Sequence, residues 1–155
     1  MIGFGADVAI PVLASGIGAL RVIAVRRGTI DLAAEEAAGG HTILKHVGRT
    51  EAQLRARLAA QKGIKAASTF RTLSEAERWV SEAVRANRAA IEAWAKTAAV
   101  GGKPVSFPYQ AASVVGEGVV RATGQLTQMT KLVVVFQRIQ QQNRVYFLLT
   151  AYPVL

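Results

Sequence analysis

Both histidines of the chain, His41 and His46, lie in the short basic segment GGHTILKHVGRT. A histidine with a pKa near neutrality can remove the proton from a ribose 2′-hydroxyl, and that oxygen can then attack the adjacent phosphorus to give a 2′,3′-cyclic phosphate. Negative charge grows on the phosphoryl oxygens during this step, so an arginine directed at them would stabilise the transition state. Arg49, Arg55 and Arg57 are all candidates for that role, because helical periodicity does not select among them.

A second candidate segment, LLTAYP, lies near the C-terminal end and contains Thr150 and Tyr152 in a strand-like run. Alternate side chains of a strand share one face, so these two would lie about 7 Å apart and could touch one phosphate and its neighbouring sugar. The same alternation places Leu148 on their face and Ala151 on the opposite, core-facing side. Pro153 is expected to end the strand ladder. We interpret the two segments as the halves of one nuclease cleft.

The composition points to a polyanionic partner. The chain has 155 residues, enough for one domain, with 19 Lys and Arg against 10 Asp and Glu and a formal net charge of +9. Nucleic acid, an anionic membrane and an acidic inhibitor protein all fit this charge. The chain has no cysteine, which excludes disulfides and thiolate metal ligands. With 2 histidines and few clustered carboxylates, we predict neither a metal site nor a cofactor.

Helices are predicted to come first along the chain. Asp31 precedes a short acidic helix that ends at Gly39-Gly40, and Thr50 and Gln53 have the spacing of a capping box at the start of another helix. Residues 72–96 show the longest helical periodicity, which Asn87 interrupts, so this segment forms one helix or two. Its tryptophans are expected to be core residues.

Strands are predicted to follow the helices. Short strands are expected at residues 111–115 and 118–121, and residues 132–139 and 144–152 have the pattern of an antiparallel hairpin. Residues 64–70 are compatible with a further strand. Helices followed by strands indicate an α+β domain, with N-terminal helices packed on a C-terminal antiparallel β-sheet.

The first 30 residues differ from the rest because they are rich in Gly, Ala and Val and have no basic residue before Arg21. Their apolar run is interrupted and is shorter than the roughly 20 residues of a membrane span. Its basic residues follow the run, whereas those of a secretory signal precede it. We interpret residues 1–30 as a linker from a larger protein and residues 31–155 as the domain.

Three segments in this order, HTILKHVGRTEAQLRARL, STF at residues 68–70 and LLTAYP, resemble the bacterial RNase A-like toxin domain. That family occurs at the C-termini of contact-dependent growth inhibition proteins and related polymorphic toxins. The resemblance covers about residues 31–155 and makes residues 1–30 a pre-toxin segment. It implies an RNase A-like fold without disulfides and a catalytic site formed by His46, Arg57, Thr150 and Tyr152.

The resemblance implies a metal-independent endoribonuclease that acts as a toxin in interbacterial competition. His46 would be the general base and Arg57 would stabilise the transition state, while the general acid stays open between His46 and Tyr152. The two C-terminal residues would complete the phosphate site. His41, Lys45 and Arg49 are weaker candidates for substrate binding.

The implied partners are RNA, with tRNA as one candidate, and a cognate immunity protein that protects the producing cell. The positive charge of the chain predicts that this immunity protein is acidic. The toxin would be delivered as part of a larger secreted or surface protein and would act in the cytoplasm of the target cell. Two other functions stay open, a non-catalytic basic RNA-binding module and a membrane-active toxin that uses residues 1–30.

Overall fold

A computed structural model describes residues 30–97, 99, 102–138 and 146–155 and shows helices packed on two antiparallel sheets. The helices come mostly before the strands, as the sequence predicts. In chain order the elements are α1 (Leu32–Ala37), α2 (Thr42–His46), α3 (Glu51–Ala60), β1 (Ala66–Thr69), α4 (Leu73–Ala86), α5 (Arg88–Thr97), β2 (Val105–Gln110), β3 (Gly116–Val120), β4 (Leu126–Met129), β5 (Lys131–Arg138) and β6 (Tyr146–Val154).

Side-chain caps fix where the first helices begin. The Asp31 carboxylate accepts a hydrogen bond from the Ala34 N–H at the start of α1. The predicted capping box is present at α3, where the Thr50 hydroxyl accepts from the Gln53 N–H and the Gln53 side chain accepts from the Thr50 N–H. Each such cap contributes about 1 kcal/mol. The start of α3 therefore follows directly from local sequence.

The long periodic segment is divided into α4 and α5 at Asn87. The Asn87 side-chain amide donates to the carbonyls of Ala83 and Pro108, which ties the break between the helices to β2. Both tryptophans belong to the core, as predicted: Trp79 is buried and Trp94 packs against the main cluster. The buried face of α4 consists of Ala76, Trp79, Val80, Ala83 and Val84.

The strands form two three-stranded sheets, in the orders β1-β3-β4 and β2-β5-β6, rather than one. The predicted C-terminal hairpin is confirmed as the antiparallel pair β5 and β6, although residues 139–145 lie outside the described residues. The strand predicted at residues 111–115 is wrong, because the strands lie on either side of it, at β2 and β3. Pro108 lies in β2, which is an edge strand and therefore tolerates a residue without an N–H.

Strand β6 contains an irregularity that the sequence pattern does not reveal. Val135 pairs with Thr150 and Phe136 pairs with Leu148, so Leu149 is an extra residue, a β-bulge. The bulge shifts the alternation, and both Leu148 and Ala151 join the main core cluster. The prediction that Leu148 shares a face with Thr150 is therefore wrong. The ladder also continues past Pro153, which pairs with Leu132 because β6 is an edge strand.

The predicted linker lies outside the described residues except for Ile30, which is buried in the core. Its interpretation as a pre-toxin segment, and the alternative of membrane insertion, stay predictions. Among the described residues, no helix has the length and hydrophobicity needed to cross a membrane.

Candidate active site

His46 is the last residue of α2, and its side chain is buried, with 3% of the residue exposed. Its carbonyl accepts a hydrogen bond of 2.7 Å from the Phe70 N–H, and the Gly48 N–H donates to the Phe70 carbonyl at 2.8 Å. Gly48 has a φ of 66°, a left-handed conformation that favours glycine. This pairing holds the backbone after α2 against the end of β1 and fixes the position of the imidazole.

The STF segment at residues 68–70 joins the two candidate segments. The Thr69 hydroxyl accepts from the Arg49 N–H at 3.0 Å and donates to the Phe70 carbonyl at 2.8 Å. The Ser68 hydroxyl donates to the Pro153 carbonyl at 2.6 Å, and this bond is buried. Residues of both candidate segments are therefore held against one strand, β1.

Arg57 lies on α3 and contacts His46 directly, with 3.1 Å between its Nη1 and the His46 Nδ1. A guanidinium group only donates hydrogen bonds, so Nδ1 must be the acceptor and the neutral ring carries its proton on Nε2. Arg57 Nε is buried and has no hydrogen-bond partner among the described residues. Arg55 is engaged elsewhere, with Glu51 and with the Gly124 carbonyl. The structure thus selects Arg57 from the arginines that periodicity left open.

The environment of His46 keeps its imidazole neutral. Burial, followed by the positive charge of Arg57, lowers the pKa of His46 to about 3. The backbone carbonyl of Ser68 opposes this by raising the pKa, while His41 and Lys45 lower it further. At neutral pH the ring is therefore a free base that carries a lone pair on Nδ1.

Tyr152 reaches the same place from strand β6. Its ring centroid lies 5.0 Å from that of His46, with a tilt of 37° between the planes. Its charge interaction with Arg57 raises the pKa of that guanidinium, although burial, the larger effect, lowers it. Thr150 is buried two residues earlier on the strand, and its hydroxyl has no hydrogen-bond partner among the described residues. His46, Arg57 and Tyr152 therefore form one cluster, with Thr150 beside it on the strand.

The weaker candidates surround this cluster with positive charge. Lys45 is exposed on α2 and lowers the pKa of both histidines, and Arg49 lowers the pKa of Arg57. His41 occupies the N-cap position of α2, but its side chain makes no capping hydrogen bond. Its backbone N–H donates to the Leu149 carbonyl at 2.9 Å. A phosphodiester placed at His46 would meet several cations at once.

Sequence reasoning missed two contributors to the site. The Ser68 carbonyl acts on His46, and a backbone group leaves no signal in the residue types. Glu36 lies in α1 and raises the pKa of His41. The sequence pattern treats Glu36 as one of several acidic residues of a solvated helix, and only the packing of α1 shows that it acts on a histidine.

The chain is similar to known proteins in both sequence and structure. The family model described as "Bacterial CdiA-CT RNAse A domain" matches residues 40–153. Among solved structures, the chain is similar to "Crystal structure of CdiA-CT/CdiI complex from Y. kristensenii 33638", with 28% identity and a TM-score of 0.64 over 75% of this chain and 100% of that one. No curated protein matches the chain. The predicted resemblance and the α+β fold class are confirmed, and the chain belongs to the family of bacterial CdiA-CT RNase A domains.

Proposed function

We propose that the protein is a metal-independent endoribonuclease toxin that cleaves RNA by transesterification to a 2′,3′-cyclic phosphate. The observation that carries this proposal is the contact of a buried, neutral His46 with Arg57 at 3.1 Å and with the Tyr152 ring at 5.0 Å between centroids. This cluster brings together a base, a fixed positive charge and a phenol. These groups suit in-line attack of a 2′-hydroxyl on phosphorus.

His46 would act as the general base through Nδ1. In the free protein this nitrogen accepts a hydrogen bond from Arg57, so its lone pair is held in place but is occupied. A phosphodiester attracts the guanidinium more strongly than a neutral imidazole does, because charged hydrogen bonds are about twice as strong as neutral ones. Substrate binding would therefore move Arg57 towards the phosphate and free Nδ1 to take the proton of the 2′-hydroxyl.

Arg57 would stabilise the charge that develops on the phosphoryl oxygens. Its Nε has no partner among the described residues, so Nε and a neighbouring Nη can donate two parallel hydrogen bonds. Groups of this kind commonly contribute about 10²–10³ in kcat. Lys45 and Arg49 would add attraction to the flanking phosphates, which makes RNA affinity fall with salt concentration.

Thr150 and Tyr152 would complete the phosphate site. A buried hydroxyl without a partner is unfavourable in a folded protein, and a phosphate oxygen is a natural acceptor for Thr150. The Tyr152 hydroxyl would hold a second oxygen or the leaving group. We therefore expect both residues to act on the same phosphodiester from strand β6.

The cognate partner would be an acidic immunity protein. The similar solved structure is a CdiA-CT/CdiI complex, and this chain carries a formal net charge of +9. Opposite charges on the two proteins would speed their association. As a CdiA-CT domain, the chain would be delivered as part of a larger protein and would act in the cytoplasm of the target cell.

The test is incubation of the purified protein with total RNA in excess EDTA. We expect cleavage that leaves 2′,3′-cyclic phosphate ends, and no cleavage of DNA, which lacks the attacking hydroxyl. The His46→Ala and Arg57→Ala variants should lose activity, and Tyr152→Phe should be slower. Arg55→Ala is the matched control on the same helix, because Arg55 is bound to Glu51 and Gly124 away from the site.

Two results would contradict the proposal. If His46→Ala cleaves RNA at the wild-type rate, the base is elsewhere. If the wild type binds RNA and DNA equally well and cleaves neither, the chain is a non-catalytic basic binding module.

A further inference from the structure

Helix α1 carries a carboxylate, Glu36, and the start of α2 carries a histidine, His41, that the proposed mechanism does not use. His41 Nδ1 and Glu36 Oε2 are both buried and have no hydrogen-bond partner among the described residues. Buried polar atoms are nearly always paired, so two such atoms on residues only five positions apart require an explanation. The Glu36 carboxylate also acts on His41, because it raises the pKa of that imidazole.

The backbone places His41 against the active-site strand. A Cβ atom at Gly40 would lie 2.6 Å from the Leu148 carbonyl oxygen, so only glycine allows the turn to approach β6 this closely. The next N–H, that of His41, donates to the Leu149 carbonyl at 2.9 Å. His41 therefore lies beside the bulge that directly precedes Thr150. It also acts electrostatically on His46, whose pKa it lowers.

Glu36 is held in position independently of His41. Its Oε1 accepts a hydrogen bond of 2.9 Å from the Leu44 N–H in α2. The preceding residue, Glu35, accepts a hydrogen bond of 2.6 Å from the Leu148 N–H, which ties α1 to β6. Oε2 of Glu36 is thus the carboxylate oxygen that has no other task in the fold. It belongs to α1 and acts on the imidazole at the start of α2.

We propose that His41 is the general acid of the cleavage reaction and that Glu36 is its positioning residue. This inference rests on the proposed ribonuclease function. The imidazolium of His41 would lie on the opposite side of the phosphate from His46, and the Glu36 carboxylate would stabilise and orient it.

The step balances as a single transesterification. His46 Nδ1 takes the proton of the 2′-hydroxyl while the 2′-oxygen forms a bond to phosphorus. The bond between phosphorus and the 5′-oxygen breaks, and protonated His41 delivers its proton to that oxygen. The products are a 2′,3′-cyclic phosphate and a free 5′-hydroxyl, with His46 protonated and His41 neutral.

Burial lowers the pKa of both histidines, and at His41 a carboxylate opposes this effect. Burial and Arg57 strongly lower the pKa of His46, which favours the free base. Burial and Lys45 also lower the pKa of His41, with a smaller contribution from Arg57, but Glu36 opposes this by raising it. A bound phosphodiester adds negative charge beside His41 and favours its protonated form. Environments that separate two titrating groups in this way are typical of acid and base pairs.

The experiment compares two substrates that differ in the leaving group. An RNA dinucleotide releases an alkoxide that needs a proton, whereas a nucleoside 3′-(p-nitrophenyl phosphate) releases a phenolate that does not. We expect His41→Ala and His41→Asn to reduce kcat on the dinucleotide by about 10²–10⁴-fold and to leave kcat on the nitrophenyl ester nearly unchanged. His46→Ala should reduce kcat on both substrates.

Glu36→Gln tests the positioning role. The glutamine carbonyl oxygen can still accept the hydrogen bond from the Leu44 N–H, but the substitution removes the negative charge that raises the pKa of His41. The alkaline limb of the dinucleotide pH profile should therefore move to lower pH, and kcat should fall about tenfold or less. Leu44→Ala is the matched control, because this side chain is 68% exposed on the same helix. Circular dichroism would check that each variant is folded.

The outcomes separate this inference from the proposed function. If the His41 variants lose the same factor on both substrates, His41 only binds the phosphate and the general-acid role is refuted. If they keep full activity on the dinucleotide, it is refuted as well. If the wild type cleaves neither substrate, the ribonuclease function itself fails, and the acid role falls with it.

Discussion

Acidification should destabilise the folded protein through His46. The pKa of this residue is lowered from 6.5 to about 3 by burial and by Arg57, so the folded state disfavours the protonated ring. Above about pH 6.5 the ring is neutral in both states and has no effect. As the pH falls below this value, the unfolded state binds a proton that the folded state does not bind, so the free energy of unfolding decreases. The loss continues until about pH 3, where the folded state is protonated as well.

The decrease in the free energy of unfolding follows from how far the pH lies below the pKa of the unfolded histidine. A pH of about 5 is roughly 1.5 pH units below the pKa of histidine in the unfolded state, and each pH unit corresponds to about 1.4 kcal/mol. His46 should therefore remove about 2 kcal/mol between pH 7.5 and pH 5, a range in which most exposed carboxylates stay ionised. Urea unfolding of the wild type and of His46→Asn at the two pH values measures this difference, since the variant keeps every other titrating group.

Nuclear magnetic resonance gives the direct control, because the chain has only 2 histidines and their Cε1–H signals can be assigned with one variant. The His46 signal should titrate far below that of an ordinary histidine. A His46 pKa near 6.5 would refute the reasoning, because the imidazole could then be neither as buried nor as close to Arg57 as the structure places it. Equal losses of stability in the wild type and in His46→Asn would refute it too.

Two further substitutions separate stability from activity. Thr150→Val replaces a buried hydroxyl, for which the described residues offer no partner, by a methyl group of the same shape in a strand. The free energy of unfolding should therefore stay equal or rise by about 1 kcal/mol, seen as an equal or higher melting temperature, while RNA cleavage falls. A lower melting temperature together with full activity would contradict this account. Arg57→Lys keeps a positive charge but loses the planar fork, so kcat should fall by about 10²-fold while the His46 signal still titrates at low pH. Full activity of this variant would show that bidentate donation is unimportant.

The sequence predicts best those features that depend on neighbouring residues. The cap at Asp31 and the capping box at Thr50 are both present, because each needs only side chains within one helical turn. The β5–β6 hairpin is also local. The sheet formed by β1, β3 and β4 was not predicted as a separate sheet. Its pairing of β1 with β3 joins strands that are about 50 residues apart in the chain, so no local pattern indicates it.

Two errors in the strand prediction have specific physical causes. The strand at residues 105–110 was not predicted; it contains Pro108, which it tolerates because β2 is an edge strand, where the missing N–H has no cost. The bulge at Leu149 has no glycine or proline that would indicate it in the sequence. It exchanges the two faces of the strand for the side chains that precede it. The prediction of a shared face therefore holds for Thr150 and Tyr152, which follow the bulge, and fails for Leu148, which precedes it.

The pairing of Arg57 with His46 depends on how α3 is placed. Leu54 and Leu58 of this helix form a small core cluster with Ala67 of β1 and Val119 of β3. Burial of these leucines fixes the rotation of the helix about its axis, and Arg57, next to Leu58, then faces His46. Periodicity identifies the buried leucines, but it cannot say which flank of the stripe faces the histidine, because that depends on where β1 lies.

The site combines several features that are unfavourable in a free protein. Arg57, Lys45 and Arg49 bring positive charges close together, and the Thr150 hydroxyl and a ring nitrogen of His41 are buried with no partner in the described part of the chain. Each unpaired buried group costs about 1–3 kcal/mol, so the arrangement must be maintained by the surrounding fold. The Phe70 pairing with residues 46–48 and the Ser68 bond to Pro153 supply that support. A bound polyanion would offer acceptors to the donors and negative charge to the cations, and this is the physical reason for proposing both an RNA substrate and an acidic inhibitor at this site.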